Sequence, residues 1–236
     1  MFRFSLFFMA LPYPNTLNEI ARSQKNLILT DGASRGNPGP AGWAYILLSG
    51  EQEKARENCG HSSKDTNNRM EIQGCLEALK FAKELGLQKE ILILSDSKFV
   101  IEATTSWRFS WRKKNWLKSD GSPVLHTDLW KELDILADEF NPRFFHVEAH
   151  KGHPANTRCD QLAVEAALQE NPQLFKGSLH SYPHFQKISL EEIYDSPKYL
   201  CWNHSKKVEF EKWPQAQEFM QKNPGFRVKK IFSPEQ

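Results

Sequence analysis

The stretch that most restricts how this chain can fold is Leu27-Ile28-Leu29-Thr30-Asp31-Gly32, a short apolar run that ends on a carboxylate and breaks into glycine-rich chain. Continuous apolar residues bounded by Lys25-Asn26 and Asp31-Gly32 predict a buried strand. A carboxylate at the end of such a strand is costly unless a cation, a set of hydrogen bonds or a metal ion compensates it. No Lys or Arg lies within the run. The compensation must come from elsewhere in the chain.

Downstream, Gly32 to Pro40 reads as a tight loop from its Gly, Asn and Pro content. Gly42 to Leu48 reads as a second strand and Lys54 to His61 as a weaker, polar third one, and their short connections favour an antiparallel meander. Thr66 can cap a helix from about Asn67 to Leu85, stopped by Gly86 and carrying an Ile72, Leu76, Leu79, Ala82 stripe. Ile91 to Leu94 repeats the opening theme and runs into Ser95-Asp96-Ser97 and a short helix to Thr104. A strand that follows a helical crossover is expected to lie parallel to an earlier one, which puts Asp31 and Asp96 at the same sheet edge.

A further helix is expected at His126 to Phe140, a strand at Arg143 to Glu148, and a last helix capped by Asn156 and reaching Glu170. The order is that of a mixed α/β sheet of five strands, the first three antiparallel, flanked by helices. Residues 172–197 hold Pro172, Pro183 and Pro197 without clear periodicity and read as a linker with a short helix at Leu190 to Tyr194. Residues 198–236 regain pattern, two short strands, a helix at Trp213 to Lys222 and a strand at Phe226 to Phe232, as a small basic α/β module.

At 236 residues there is room for one domain of about 150 residues and a smaller piece. Net charge is only +2, so distribution matters more than the total. Trp107 to Lys118 holds Arg108, Arg112, Lys113, Lys114 and Lys118 with no acid, interleaved with Trp107, Trp111 and Trp116. Cys59, Cys75, Cys159 and Cys201 show no metal-ligand spacing, so reduced thiols in a cytoplasmic protein are the simpler reading. The apolar residues 1–12 fall short of the ~20 needed to span a bilayer, and residues 1–25 read as a disordered or surface-docked leader.

Four acids sit where chain geometry can bring them together: Asp31 and Asp96 at strand ends, Glu71 and Asp160 in first turns of helices. Hard oxygen ligands without clustered Cys or His suit Mg²⁺ or Mn²⁺ rather than zinc. Two such ions, ~3.5–4 Å apart, can activate a water and stabilise the leaving oxygen of a phosphodiester.

Four blocks of the sequence are familiar as a set: Thr30-Asp31-Gly32 with Gly36-Asn37-Pro38-Gly39-Pro40; Thr66-Asn67-Asn68-Arg69-Met70-Glu71; Ser95-Asp96-Ser97; and His150-Lys151-Gly152-His153 running into Asn156 and Arg158-Cys159-Asp160. Together, over about residues 26–171, they resemble ribonuclease HI. The resemblance implies a ribonuclease H-like fold and an endonuclease that cuts the RNA strand of RNA–DNA hybrids with two Mg²⁺ ions, Mn²⁺ being the substitute, leaving 5′-phosphate and 3′-hydroxyl ends. It assigns the metal carboxylates to Asp31, Glu71, Asp96 and Asp160, and makes His150 the histidine that assists proton transfer or product release. Asn37, Asn67 and Gln73 fall where the family contacts 2′-hydroxyls and base edges, and Thr66 falls at a DNA-phosphate contact. Trp107, Trp111, Arg112, Lys113, Lys114 and Trp116 resemble a basic protrusion that grips the hybrid. A monomer with no membrane association is implied.

The chain departs from the pattern at Lys98, where the enterobacterial form has glutamine, and at Lys151, where a small residue is commoner. Residues 198–236 bear a weaker similarity to the hybrid-binding domain of many ribonucleases H, through Tyr199, Trp213, Phe226 and Lys229-Lys230. A transposase or integrase relative would share the sheet and acids but lack the Gly-Asn-Pro-Gly and Thr-Asn-Asn blocks. A non-catalytic hybrid-binding protein would have no use for all four acids.

Overall fold

The computed structural model describes residues 16–231 apart from 148–153, 186–192, 196–197 and 211. A short helix α1 (Leu17–Ser23) leads into strands β1 (Asn26–Ser34), β2 (Gly39–Ser49) and β3 (Lys54–Asp65). Helix α2 (Asn67–Glu84) crosses over to β4 (Ile91–Ser95). Then come α3 (Lys98–Glu102), a π-helical turn (Ala103–Trp107), α4 (Arg108–Lys113), α5 (Thr127–Phe140), β5 (Arg143–Val147) and α6 (Pro154–Ala167).

β1, β2 and β3 form the antiparallel meander, and β4 and β5 add in parallel on the other side of β1. The expected five strands are therefore present in the expected order. Alternation along β1 and β4 divides the core in two. Ile28, Ile91 and Ile93 pack with Leu76, Leu79, Trp130 and Leu133 of α2 and α5. Leu27, Leu29, Leu92 and Leu94 pack with Cys159, Leu162 and Ala163 of α6. Strands covered on both faces need no polar alternation, which is why they read as unbroken apolar runs.

Two glycines let the helices come down onto the sheet. A Cβ at Gly32 would stand 2.4 Å from the Glu71 amide nitrogen, and one at Gly42 would stand 2.3 Å from the Ala163 carbonyl oxygen. Any side chain there would push α2 or α6 outward.

The segment expected to be a linker instead extends the sheet at both edges. β6 (Lys176–Ser178) pairs antiparallel with β3, and β7 (Ile193–Asp195) pairs antiparallel with β5, giving seven strands in the order β6-β3-β2-β1-β4-β5-β7. Free backbone groups on an edge strand recruit further chain, and Leu179, Tyr182 and Phe185 anchor the added piece in the α6-side core. The short helix expected at 190–194 is a strand at Ile193–Asp195; residues 190–192 lie outside the described residues. Asn156 does not cap α6 but lies inside its first turn, buried. Residues 17–23 of the expected leader form α1, whose Ile20 is fully buried.

After β7, strands β8 (Lys198–Trp202), β9 (Lys207–Phe210) and β10 (Arg227–Ile231) form a second antiparallel sheet in the order β10-β8-β9, with α7 (Trp213–Lys222) packed on it. This module meets the π-helical turn and α4 across a cleft of about 330 Å³ lined by Ser106, Trp107, Ser110, Tyr199, Trp213 and Lys229 among others. Lys113 Nζ also donates to Gln217 Oε1 at 3.4 Å.

The basic segment lacks acids only in sequence. Arg108 is 5% exposed, and its Nη1 donates to Asp134 Oδ1 at 2.6 Å and Asp138 Oδ1 at 2.7 Å, both on α5. Arg112 binds the same two carboxylates. Removing one partner of a buried pair leaves an uncompensated charge, whereas an exposed pair contributes little. Asp134→Ala removes the buried acceptor but leaves Asp138 on Arg108, and is therefore expected to lower stability by about 1.5–3 kcal/mol in urea unfolding. Lys83→Ala, which breaks the exposed pair with Glu139, should cost less than about 1 kcal/mol.

Candidate active site

The site forms where β1 and β4 run parallel and the first turns of α2 approach them. β1 carries Asp31 inside its buried run and continues to Ser34, past the expected break at Gly32, and β4 delivers Asp96 just past Ser95. Glu71 sits in α2 directly over Gly32, where there is no side chain to hold the helix off. One carboxylate oxygen from each of Asp31, Glu71 and Asp96 lies within 4.8 Å of the others.

The electrostatics follow from burial. Asp31 is 5% exposed and Glu71 6%. Burial, then the charges of Asp96 and Asp160, push the Asp31 carboxyl from its ordinary 3.8 up to about 8, although Gly32 N–H donates to Oδ1 at 2.7 Å. Burial, Asp31 and Asp96 push Glu71 well above the usual carboxylate range. Glu71 Oε1 accepts from Asn67 Nδ2 at 3.4 Å, while its buried Oε2 has no hydrogen-bond partner among the described residues. Hard oxygens, mutual repulsion and an orphaned buried acceptor together fit a divalent cation.

Asp160 stands outside this tight trio. It lies on α6, half-buried, and close enough for its charge to raise both Asp31 and Glu71. His150 falls outside the described residues, as does Lys151.

The residues expected to contact substrate are placed unevenly. Asn37 Oδ1 accepts the Asn67 amide at 3.3 Å, so the glycine-rich loop, the start of α2 and Glu71 form one hydrogen-bonded chain. Thr66 Oγ1 caps α2 by accepting the Arg69 amide. Gln73 is turned along the helix toward Glu77 Oε1, 2.9 Å away. Trp116 is 9% exposed, and Trp107 and Trp111 stack into the α2–α5 core beside Phe99 and Trp130. With Arg112 paired to α5, Lys113 at the end of α4 and Lys114 just after it are exposed cations. Lys98 is exposed beside Asp96 in sequence.

Reading the sequence missed Glu57, a buried carboxylate on β3 that binds Arg158. Its only signal is that it alternates with the buried Ala55 along a strand that otherwise reads as polar.

A family model for RNase H matches residues 23–168 of the chain. The chain belongs to the ribonuclease H family. Among curated ribonucleases H, that of Treponema denticola is 43% identical over 152 residues, covering 59% of this chain and 94% of the relative. Ribonuclease HI of Caulobacter vibrioides is 39% identical over 150 residues, covering 64% and 97%. The solved structure of LC9-RNase H1, a type 1 RNase H with the type 2 active-site motif, superposes with a TM-score of 0.58 at 21% identity over 66% of this chain and 79% of that one, a likeness of fold. This ribonuclease H is an endonuclease that hydrolyses the RNA strand of RNA–DNA hybrids; its family is divalent-metal dependent, and Asp31, Glu71 and Asp96 form an acidic cluster suited to such an ion. No helix of the described residues is long and apolar enough to cross a membrane.

Raised carboxyl pKa values make the metal-free fold sensitive to pH. Asp31 and Glu71 hold protons more tightly folded than unfolded, so their contribution is full below their unfolded values and lost as pH climbs. For Asp31 the loss is complete near pH 8. In EDTA, the melting temperature should fall between about pH 5 and about pH 8, and Mg²⁺ or Mn²⁺ should restore it at the upper end. A flat profile in EDTA would contradict the assigned burial.

Proposed function

We propose that hybrid cleavage occurs at Asp31, Glu71 and Asp96, with Asp160 as the fourth carboxylate, and that Mg²⁺ is the working cation, two ions per site. The observation that carries this reading is the trio of carboxylate oxygens within 4.8 Å, two of them on residues at most 6% exposed. Bound divalent ions would supply Lewis acidity, lowering the pKa of the attacking water and neutralising charge on the phosphodiester. The products are 5′-phosphate and 3′-hydroxyl ends.

The chain's own groups orient the site. Asn67 steadies one oxygen of Glu71 and leaves the other for a cation. Asn37 and Asn67 stand at the rim, where an amide can read a 2′-hydroxyl, the group that distinguishes RNA from DNA. The Thr66 hydroxyl accepts from Arg69 and keeps its own proton to donate to a phosphate. Gln73 reaches a base edge once released from Glu77. His150 assists proton transfer or product release. Lys113 and Lys114 take phosphates, with Trp107, Trp111, Arg112 and Trp116 shaping the helix that presents them, so affinity is sequence-independent and salt-sensitive.

The C-terminal module is a second contact for the hybrid in this reading. Residues 198–236 hold eight basic and four acidic side chains, and Lys206, Lys207, Arg227 and Lys229 are exposed. Tyr199 serves the module's core rather than its surface, being 1% exposed against Trp213. The protein is taken to work as a cytoplasmic monomer.

Cleavage of an end-labelled hybrid should require Mg²⁺ and stop in EDTA. Asp96→Asn should lower kcat by roughly 10²–10³-fold or more; undiminished cutting would sink the metal assignment. Removal of residues 198–236 should weaken hybrid binding without abolishing cleavage. Equal affinity of full-length and shortened chains across several salt concentrations would remove the module from the binding surface.

A further inference from the structure

Beyond the trio, one buried ionic network touches the helix that carries Asp160. The Glu57 side chain is fully buried, and its carboxylate accepts four hydrogen bonds. Arg158 donates Nε to Oε1 at 3.1 Å and Nη2 to Oε2 at 3.0 Å. The Phe175 amide donates to Oε2 and the Tyr182 hydroxyl to Oε1, each at 2.9 Å. Arg158 Nη2 also donates to the Gln173 carbonyl at 3.0 Å. Burial alone would raise the Glu57 carboxyl, but these donors outweigh it and hold it below the usual range.

The network is more than an isolated ion pair. Gln173, Phe175 and Tyr182 lie beyond the residues matched by the family, so a segment outside that match closes on β3 and α6 together. Two successive residues then fix α6 against the sheet just before Asp160. Arg158 is forked onto β3, Cys159 Sγ donates to the Leu29 carbonyl of β1 at 3.6 Å, and Asp160 follows. Residues two apart on a helix point to nearly opposite sides. Pulling Arg158 toward β3 therefore fixes the rotation of α6 and with it the direction of Asp160. That direction matters because Asp160 is felt electrostatically by Asp31 and Glu71 yet stands outside their 4.8 Å group.

We propose that Glu57 is a positioning residue for the fourth carboxylate: through Arg158 it sets how closely Asp160 approaches Asp31, Glu71 and Asp96, and so how tightly the site holds a divalent cation. This rests on the reading of Asp160 as a metal carboxylate. Glu57 itself touches neither metal nor substrate. Glutamine in its place keeps the shape but turns one acceptor into a donor facing Arg158 and either the Tyr182 hydroxyl or the Phe175 amide.

The test compares Glu57→Gln, Asp160→Asn and the double variant, with hybrid cleavage as one readout. The other is Mn²⁺ binding by the substrate-free protein, followed by the loss of the free-ion EPR signal. Glu57→Gln is expected to weaken Mn²⁺ binding and lower kcat by about tenfold each, as for other partners that orient metal ligands. Its KM should change less than about twofold, since no substrate contact is lost. In the Asp160→Asn background the same change should add nothing. An equal loss in both backgrounds, or unchanged Mn²⁺ affinity, would reduce Glu57 to a stabilising residue and overturn the proposal. If Glu57→Gln folds poorly, Arg158→Lys carries the comparison. It keeps the charge but loses the fork onto Glu57, so a loss that vanishes with Asp160→Asn is expected, and no loss of Mn²⁺ affinity overturns the proposal. Asp160→Asn alone with full activity and Mn²⁺ affinity would remove the reading of Asp160 and this inference with it. Loss in Asp160→Asn but none in Glu57→Gln would remove only the inference.

Discussion

Mutual repulsion among buried carboxylates governs the architecture around the site. Asp31, Glu71 and Asp96 bring their oxygens within 4.8 Å in a place where water does little to screen them. Left alone, such groups take up protons, as the rise of Asp31 to about 8 expresses. A divalent cation removes the conflict by replacing protons as the counter-charge. The rest of the fold must therefore press acids together and keep them there against that repulsion, and the structural features near the site can be understood as ways of doing so.

The first is close approach. Gly32 and Gly42 leave no Cβ where α2 and α6 cross the sheet, so two helices bearing acids lie nearer to β1 and β2 than any side chain would permit. The second is bracing by ion pairs on either side of the cluster. Arg108 with Asp134 and Asp138 ties the π-helical turn and α4 to α5, while Glu57 with Arg158 ties α6 to β3. Buried ion pairs contribute little net stability against apolar substitutes, but breaking one is severe. Their value here is directional, because a forked guanidinium fixes orientation as well as distance.

Much of this was legible in the residues. The strands β1, β4 and β5, the cap at Thr66 and the four candidate acids followed from apolar runs, turn chemistry and motif blocks, because each is a local property of a few consecutive residues. The partners of the basic segment were not. Asp134 and Asp138 are 26 and 30 residues from Arg108, and nothing in the spacing of either helix says that they meet. The same holds for Glu57 and Arg158, separated by 101 residues. Residues 172–197 misled for a related reason. Their prolines break periodicity, but edge strands need only a few backbone hydrogen bonds and one or two apolar anchors such as Leu179 and Tyr182, too little to leave a pattern.

By itself, then, the sequence determined the family, a set of candidate acids and the polarity of the strands that carry two of them. Those depend on which side chains exist and on steric preferences that act within a few residues. Only the tertiary structure decided that three of the four acids form a tight group while Asp160 stands apart, that the tryptophans pack inward, and that a supposed linker completes both sheet edges. Those outcomes depend on distances between segments far apart in the chain, set by how closely helices can pack on the sheet and by which buried charges must find a partner.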